Sequence, residues 1–196
     1  MPIESDVFDS VYEPAEDTYL LEKHARNLKG RVLEIGCGSG YVAISNAKNN
    51  PDNEVIGVDI NKEAVRNAIH NAKKNNVMNA HFFYSNLFSK VKGKFDAIFF
   101  NPPYLPTEKS DKVKGELNKA FDGGKDGRLV LDRFLSKFDK YLKKDGTLLL
   151  VQSSLNNKDK SIQILSKKGF KADVIDQQSF FFETLFVLRS EKKSSH

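Results

Sequence analysis

Cysteine occurs once among the 196 residues, as Cys37, so no disulfide can close within the chain. That cysteine and 4 scattered histidines give no zinc-ligand spacing. Together these fit a reducing, cytoplasmic setting. Proline and glycine are sparse, at 6 and 12 residues, which excludes the collagenous and low-complexity classes. Long apolar runs are missing too: a stretch such as LLLV at 148–151 is far too short to span a bilayer. The opening MPIESDVFDS carries acids where a secretory signal carries basic residues. Neither secretion nor membrane insertion is expected.

The composition that remains is globular, 39% hydrophobic with 15 phenylalanines. Its length suits one domain with a full core, predicted over 1–189, followed by a disordered tail over 190–196 where SEKKSSH has nothing to bury. Lys and Arg number 31 against 26 acids, a net charge of +5 spread along the chain. A solvated mixed-charge surface accounts for it, and nucleic acid is expected to be met only indirectly.

Short β-rich runs alternate with helical periods, the pattern of a parallel sheet with helices on both faces. Strands are predicted over 31–35, 54–59, 80–84, 95–100, 147–151, 171–175 and 184–188. Helices are predicted over 16–27, over 62–74 with Asn61 as its N-cap, over 128–142 before a turn at 143–146, and over 158–168 with Gly169 as a left-handed C-cap.

The first chemical motif is the strand VLEI running into Gly36-Cys37-Gly38-Ser39-Gly40 and then a helix. Glycines there let the backbone turn tightly and approach a ligand at the carboxyl end of the first strand. The G-x-G-x-G spacing differs from the G-x-G-x-x-G that cradles a dinucleotide pyrophosphate, which argues against NAD. Asp59 closes the second strand, where a carboxylate can accept both hydroxyls of a ribose; a cap for the following helix is the other role open to it. Asn86 follows the third strand, within reach of an adenine ring, or serves as an ordinary turn asparagine.

The sharpest motif closes the fourth strand: Asn101-Pro102-Pro103-Tyr104. Two prolines surrender two N–H donors, so the loop presents carbonyls and one side-chain amide. The Asn101 side-chain carbonyl and the Pro102 backbone carbonyl can accept both hydrogens of a planar –NH₂ group, while the Tyr104 ring covers its face. Such a nitrogen is a poor nucleophile until it is oriented, and this loop reads as a nitrogen-nucleophile site.

In this order, over 11–188, these elements resemble class I S-adenosylmethionine-dependent methyltransferases. The resemblance implies a Rossmann-like α/β fold: a seven-stranded sheet of order 3-2-1-4-5-7-6, strand 7 antiparallel, with helices on both faces. Asn101 to Tyr104 looks like the N-P-P-Y of amino-methyltransferases. The opening VYEPAEDT at 11–18 and FDGGKDG at 121–127 are similar to those of the short archaeal and eukaryotic HemK-related enzymes, which methylate the glutamine of the Gly-Gly-Gln motif in class I translation release factors. In that family the second segment lies near the substrate pocket. Bacterial relatives carry a further N-terminal helical domain, for which this chain is expected to have no room.

By the same resemblance Glu34 and Gly36 line the methionine portion of S-adenosylmethionine, Thr18 its carboxylate, Asp59 the ribose, and Asn86 with Leu87 the adenine, with Gly38 also binding the cofactor. Asn101, Pro102 and Tyr104 carry catalysis, Asn101 also facing the cofactor and Pro103 the substrate. Asn86 departs from the family's usual aspartate, although its carbonyl can still accept the adenine N–H. The resemblance also implies a small zinc-binding activator subunit at the open edge strand from Ala80 to Tyr84, an aromatic edge that invites pairing. Other readings are an adenine N6-methyltransferase, for which the chain shows no recognition domain or basic groove, a protein lysine methyltransferase, and a nucleotide-binding scaffold that does no chemistry.

Overall fold

The computed structural model describes residues 3–104 and 126–193. Within them seven strands form one sheet of order β3-β2-β1-β4-β5-β7-β6: β1 (Arg31–Ile35), β2 (Glu54–Asp59), β3 (Ala80–Tyr84), β4 (Phe95–Phe100), β5 (Leu142–Ser153), β6 (Phe170–Ser179) and β7 (Thr184–Lys192). β1 to β5 pair in parallel, and β7 runs antiparallel to both neighbours. The order and the antiparallel strand are those the sequence resemblance implied.

Period two along each central strand divides the core. Val32, Val55, Ala97 and Phe99 face helices α1 (Glu16–Ala25), α2 (Tyr41–Asn49) and α3 (Lys62–Lys74). Leu33, Val58, Ile98 and Phe100 face α4 (Leu129–Leu135) and α5 (Lys158–Lys167). Because both faces are covered, the strands read as apolar runs with little alternation. Phe95, Phe99, Phe100 and Phe134 are almost wholly buried, each contributing about 1.5–3 kcal/mol of transfer free energy.

Two predictions need correction. The helix expected over 128–142 ends at Leu135; a 3₁₀ turn follows at Phe138–Lys140, and Leu142 opens β5. The apolar stripe is real, since Phe138 and Leu142 are buried. However, the Phe95 N–H donates to the Tyr141 carbonyl at 2.8 Å and Leu142 pairs with Phe95, so the ladder with β4 claims this backbone. Pairing then jumps to Ala97 with Thr147, and the expected turn survives as exposed Lys143, Lys144 and Asp145 bulging from the ladder. The expected tail from residue 190 begins too early: Ser190, Glu191 and Lys192 pair with Ala172, Lys171 and Phe170. Ser190 is buried, and its hydroxyl donates to the Lys171 carbonyl at 2.9 Å. The hairpin supplies what the polar tail sequence lacks, a partner for each backbone group.

The N-terminal segment is tied to α3 by a ladder of buried asparagines. Asn67, Asn71 and Asn75 stand four residues apart on one side of the helix, and their Oδ1 atoms accept from the N–H groups of Phe8, Asp6 and Glu4 at 2.9, 3.0 and 3.1 Å. Their Nδ2 atoms donate back to the Asp6 and Glu4 carbonyls. The match is geometric: four helical residues rise about 6.0 Å and two extended residues about 6.6 Å. Asn61 adds a bond to the Ser10 carbonyl at 2.8 Å while capping α3 through Glu63 N–H. The strap so held carries Tyr12 to the end of the sheet.

Candidate functional site

Beyond the carboxyl ends of β1 to β4 lies a cavity of about 450 Å³. It opens where the sheet changes direction, β1 standing between β2 and β4, the usual ligand crevice of such sheets. Gly36 and Gly38 border it with φ of 66° and 54°, values that side chains seldom adopt. A Cβ at Gly38 would meet nothing within 4 Å among the described residues, so this backbone stands open to the cavity. Asp59 braces the turn: its Oδ2 accepts from Gly38 N–H at 3.0 Å and its Oδ1 from Asn61 N–H at 2.8 Å. Glu34 is buried beneath, holding Ala43 N–H at 2.9 Å. Burial pushes the Glu34 carboxyl up to about 8, the Ala43 bond opposing and the Asp59 charge assisting. Burial also raises Asp59.

Asn101, Pro102, Pro103 and Tyr104 form the opposite wall, at the end of β4. Their organiser is Asp17, a buried carboxylate in the first turn of α1. Its Oδ2 accepts from Asn101 Nδ2 at 2.9 Å and from the Tyr104 hydroxyl at 3.3 Å, and its Oδ1 from the Tyr12 hydroxyl at 3.1 Å and Thr18 N–H at 2.7 Å. Burial and the Asp17 charge hold both tyrosines well above the ordinary phenol range, as neutral donors. Because Asn101 gives its NH₂ to a carboxylate, its orientation is fixed by the network. Its Oδ1 is then a buried acceptor with no partner among the described residues. An orphan of this kind costs roughly 1–3 kcal/mol, and Asn101 carries it on the cavity wall.

Residues 14–181 match the family model described as methyltransferase small domain. The chain is 49% identical over 181 residues to the Methanocaldococcus jannaschii protein named "Putative protein N5-glutamine methyltransferase MJ0928", covering 92% of this chain and 91% of the other. It is 33% identical over 198 residues to Methyltransferase HEMK2 of Homo sapiens, covering 94% and 91%. The chain belongs to the HemK-related methyltransferases. Its fold is also that of a chain in the E. cuniculi Mtq2–Trm112 complex, described as responsible for methylating the termination factor eRF1: TM-score 0.73, 23% identity, 94% of this chain and 99% of that one covered. Fold and family imply S-adenosylmethionine as methyl donor.

In this methyltransferase the cavity gathers all the residues singled out in the sequence: Thr18, Glu34, Gly36, Gly38, Asp59, Asn86 and Leu87 with the Asn-Pro-Pro-Tyr loop. Residues 121–125 of the second family segment lie outside the described residues. The Thr18 hydroxyl is engaged locally, donating to Asp17 Oδ1 at 3.3 Å and accepting from Ala15 N–H at 3.4 Å. Asn86 Oδ1 already accepts from Arg133 at 3.1 Å, so a ligand contact there would share that oxygen or use the Asn86 NH₂. Leu87 sits at φ 50°, where the Ser85 hydroxyl holds its carbonyl at 2.7 Å.

Sequence reasoning missed Asp17, Tyr12, Arg133 and Glu183, all on the cavity wall. An acid in a first helical turn reads as a partner for the helix dipole, and exposed Glu16 beside it reads the same way. Only burial separates the two.

Proposed function

We propose that the protein transfers a methyl group from S-adenosylmethionine to the side-chain amide nitrogen of the glutamine in the Gly-Gly-Gln motif of a class I translation release factor, in the cytoplasm. The observation that carries this reading is the unpartnered Asn101 Oδ1 on the cavity wall, set by Asp17: a buried acceptor held open there suits one N–H of a primary amide, and Pro102, which also lines the cavity, offers its carbonyl for the second. The names of the relatives support the same substrate class.

The residues present fit the cofactor. The open backbone at Gly38, with Gly36, Glu34 and Thr18 on the cavity wall, suits its methionine portion, Asp59 suits ribose hydroxyls, and Asn86 with Leu87 suits the adenine. When bound, S-adenosylmethionine supplies an electrophilic sulfonium methyl. Asn101 and Pro102 accept the amide hydrogens and Tyr104 limits its tilt, directing the nitrogen lone pair along one line. Their carbonyl dipoles stabilise positive charge developing on that nitrogen, worth about 10²–10³ in rate for one well-placed group. Asp17 is saturated by donors and acts as a positioning carboxylate, with the proton lost to solvent.

A small zinc-binding activator at the edge of β3 completes the reading. Among the described residues that strand pairs only with β2, and the E. cuniculi neighbour is described as a two-protein complex. The test is transfer of labelled methyl to a release factor with and without the activator, beside a Gly-Gly-Ala release factor and DNA and RNA controls. Label on the wild-type factor that vanishes with Gly-Gly-Ala is expected. Label confined to nucleic acid would overturn the reading in favour of adenine methylation.

A further inference from the structure

The hairpin joining β6 to β7 ends in three phenylalanines. Phe181 and Phe182 are 93% and 84% exposed, their rings meeting edge to face at 4.7 Å. Neither ring packs on the core, so the fold gains almost nothing from them, and two bare aromatic rings together are the usual mark of a contact surface.

The tip is held beside the pocket. Phe180 N–H donates to the Glu183 carbonyl at 2.7 Å, closing the turn. Glu183 lines the cavity, and its carboxylate accepts from the Ser153 hydroxyl at the end of β5, while Thr184 N–H donates to the Ser154 hydroxyl at 3.1 Å. Because β5 is the neighbour of β4, these bonds fix the aromatic tip next to the mouth that Asn101 to Tyr104 open.

Charge and topology identify the occupant. Residues 176–183 read DQQSFFFE: Asp176 is paired with Lys23 at 2.8 Å, the Glu183 carboxylate takes the Ser153 hydroxyl, and the tip itself carries no base to hold a phosphate backbone. β6 and β3 are opposite edges of the sheet, so a subunit on β3 leaves this hairpin free. We propose that Phe181 and Phe182 dock the folded protein that presents the methyl-accepting side chain, seating in an apolar depression flanking it. The inference rests on the protein-methyltransferase reading above and adds the surface by which that substrate is held.

The experiment compares wild type with the double variant Phe181→Ser/Phe182→Ser, each assayed with release factor in the presence of the activator. The expected result is a KM for release factor raised about tenfold or more with kcat unchanged, and with S-adenosylmethionine binding, activator binding and melting temperature as in wild type. Phe181→Leu/Phe182→Leu should recover most of the loss, since the contact is apolar. An unchanged KM overturns the docking role, as does loss of activator binding in the Ser variant, which would assign the tip to that subunit. A wild-type enzyme that leaves every release factor unlabelled overturns the substrate reading itself, an outcome visible before any variant is compared.

Discussion

A carboxylate that accepts from Tyr12, Thr18, Asn101 and Tyr104 at once sets the direction of every amide and hydroxyl around it. Asp17→Asn keeps its volume but replaces one oxygen with a donor. Thr18 N–H, at 2.7 Å the shortest partner, retains the oxygen, so the new NH₂ confronts Asn101 and turns its amide over. The acceptor meant for substrate becomes a donor. Transfer should fall about 10²-fold in kcat with S-adenosylmethionine affinity nearly unchanged, as single-turnover assays and calorimetry would show. Asn101→Ala should abolish transfer and leave cofactor binding largely in place; retained turnover would overturn its role. Glu34 yields a prediction in pH. The folded protein keeps this proton up to about 8, while an unfolded glutamate releases it near 4.5, so the native state binds more protons between those values and stability falls as pH rises through them. Glu34→Gln removes that slope. Its melting temperature should exceed that of wild type by a margin that grows from pH 5 to pH 8 in ligand-free protein, and a constant margin would show that the carboxyl is already ionised at pH 5.

Among the elements, the asparagine ladder shows how a strap without sheet partners is held. Asn71 alone serves Asp6 N–H, the Asp6 carbonyl and the Ser39 carbonyl, all within 3.0 Å. Asn71→Ala should cost roughly 1–3 kcal/mol, since it takes the side-chain partner from Asp6 N–H and the Ser39 carbonyl while Asn67 still holds the Asp6 carbonyl, and urea unfolding would measure it. Amide exchange at Asp6 and Phe8 should rise as the strap loosens; unchanged protection would place its anchorage elsewhere. The ladder left a trace in the sequence as asparagines at 67, 71 and 75, yet four-residue spacing of a polar residue reads equally as a solvated helix face. The same ambiguity, reversed, misplaced the helix over 128–142. Its apolar spacing recorded burial correctly, but pairing with Phe95 decided the backbone conformation.

For the molecule as a whole, the edge of the sheet at β3 is where the proposed reading places a second chain. Asn79 C=O accepts from Val55 N–H and Ser85 N–H donates to the Asp59 carbonyl, so odd-numbered residues face β2 and Ala80, Phe82 and Tyr84 turn their backbone groups outward. Ala80→Pro therefore removes an outward N–H and spares the β2 ladder. Capture of a zinc-binding activator by this variant should fall at least about tenfold with cofactor binding retained. Equal capture would move the partner to another surface. No helix among the described residues is long and apolar enough to cross a membrane.

Sequence alone determined where the strands, the glycine turn and the two-proline loop lie, because side-chain period, glycine's freedom at positive φ and proline's missing N–H are local properties written within a few residues; the order of the strands came only through the family resemblance. The tertiary structure decided which acid governs the site. Glu16 and Asp17 are neighbours of like charge in the same helical turn, and only Asp17 is buried. Its bonds to Asn101 and Tyr104 span 84 and 87 residues. No period or propensity encodes a partner so distant; the packing of α1 against α2 and β5, which sets Asp17 beside the loop that follows β4, does.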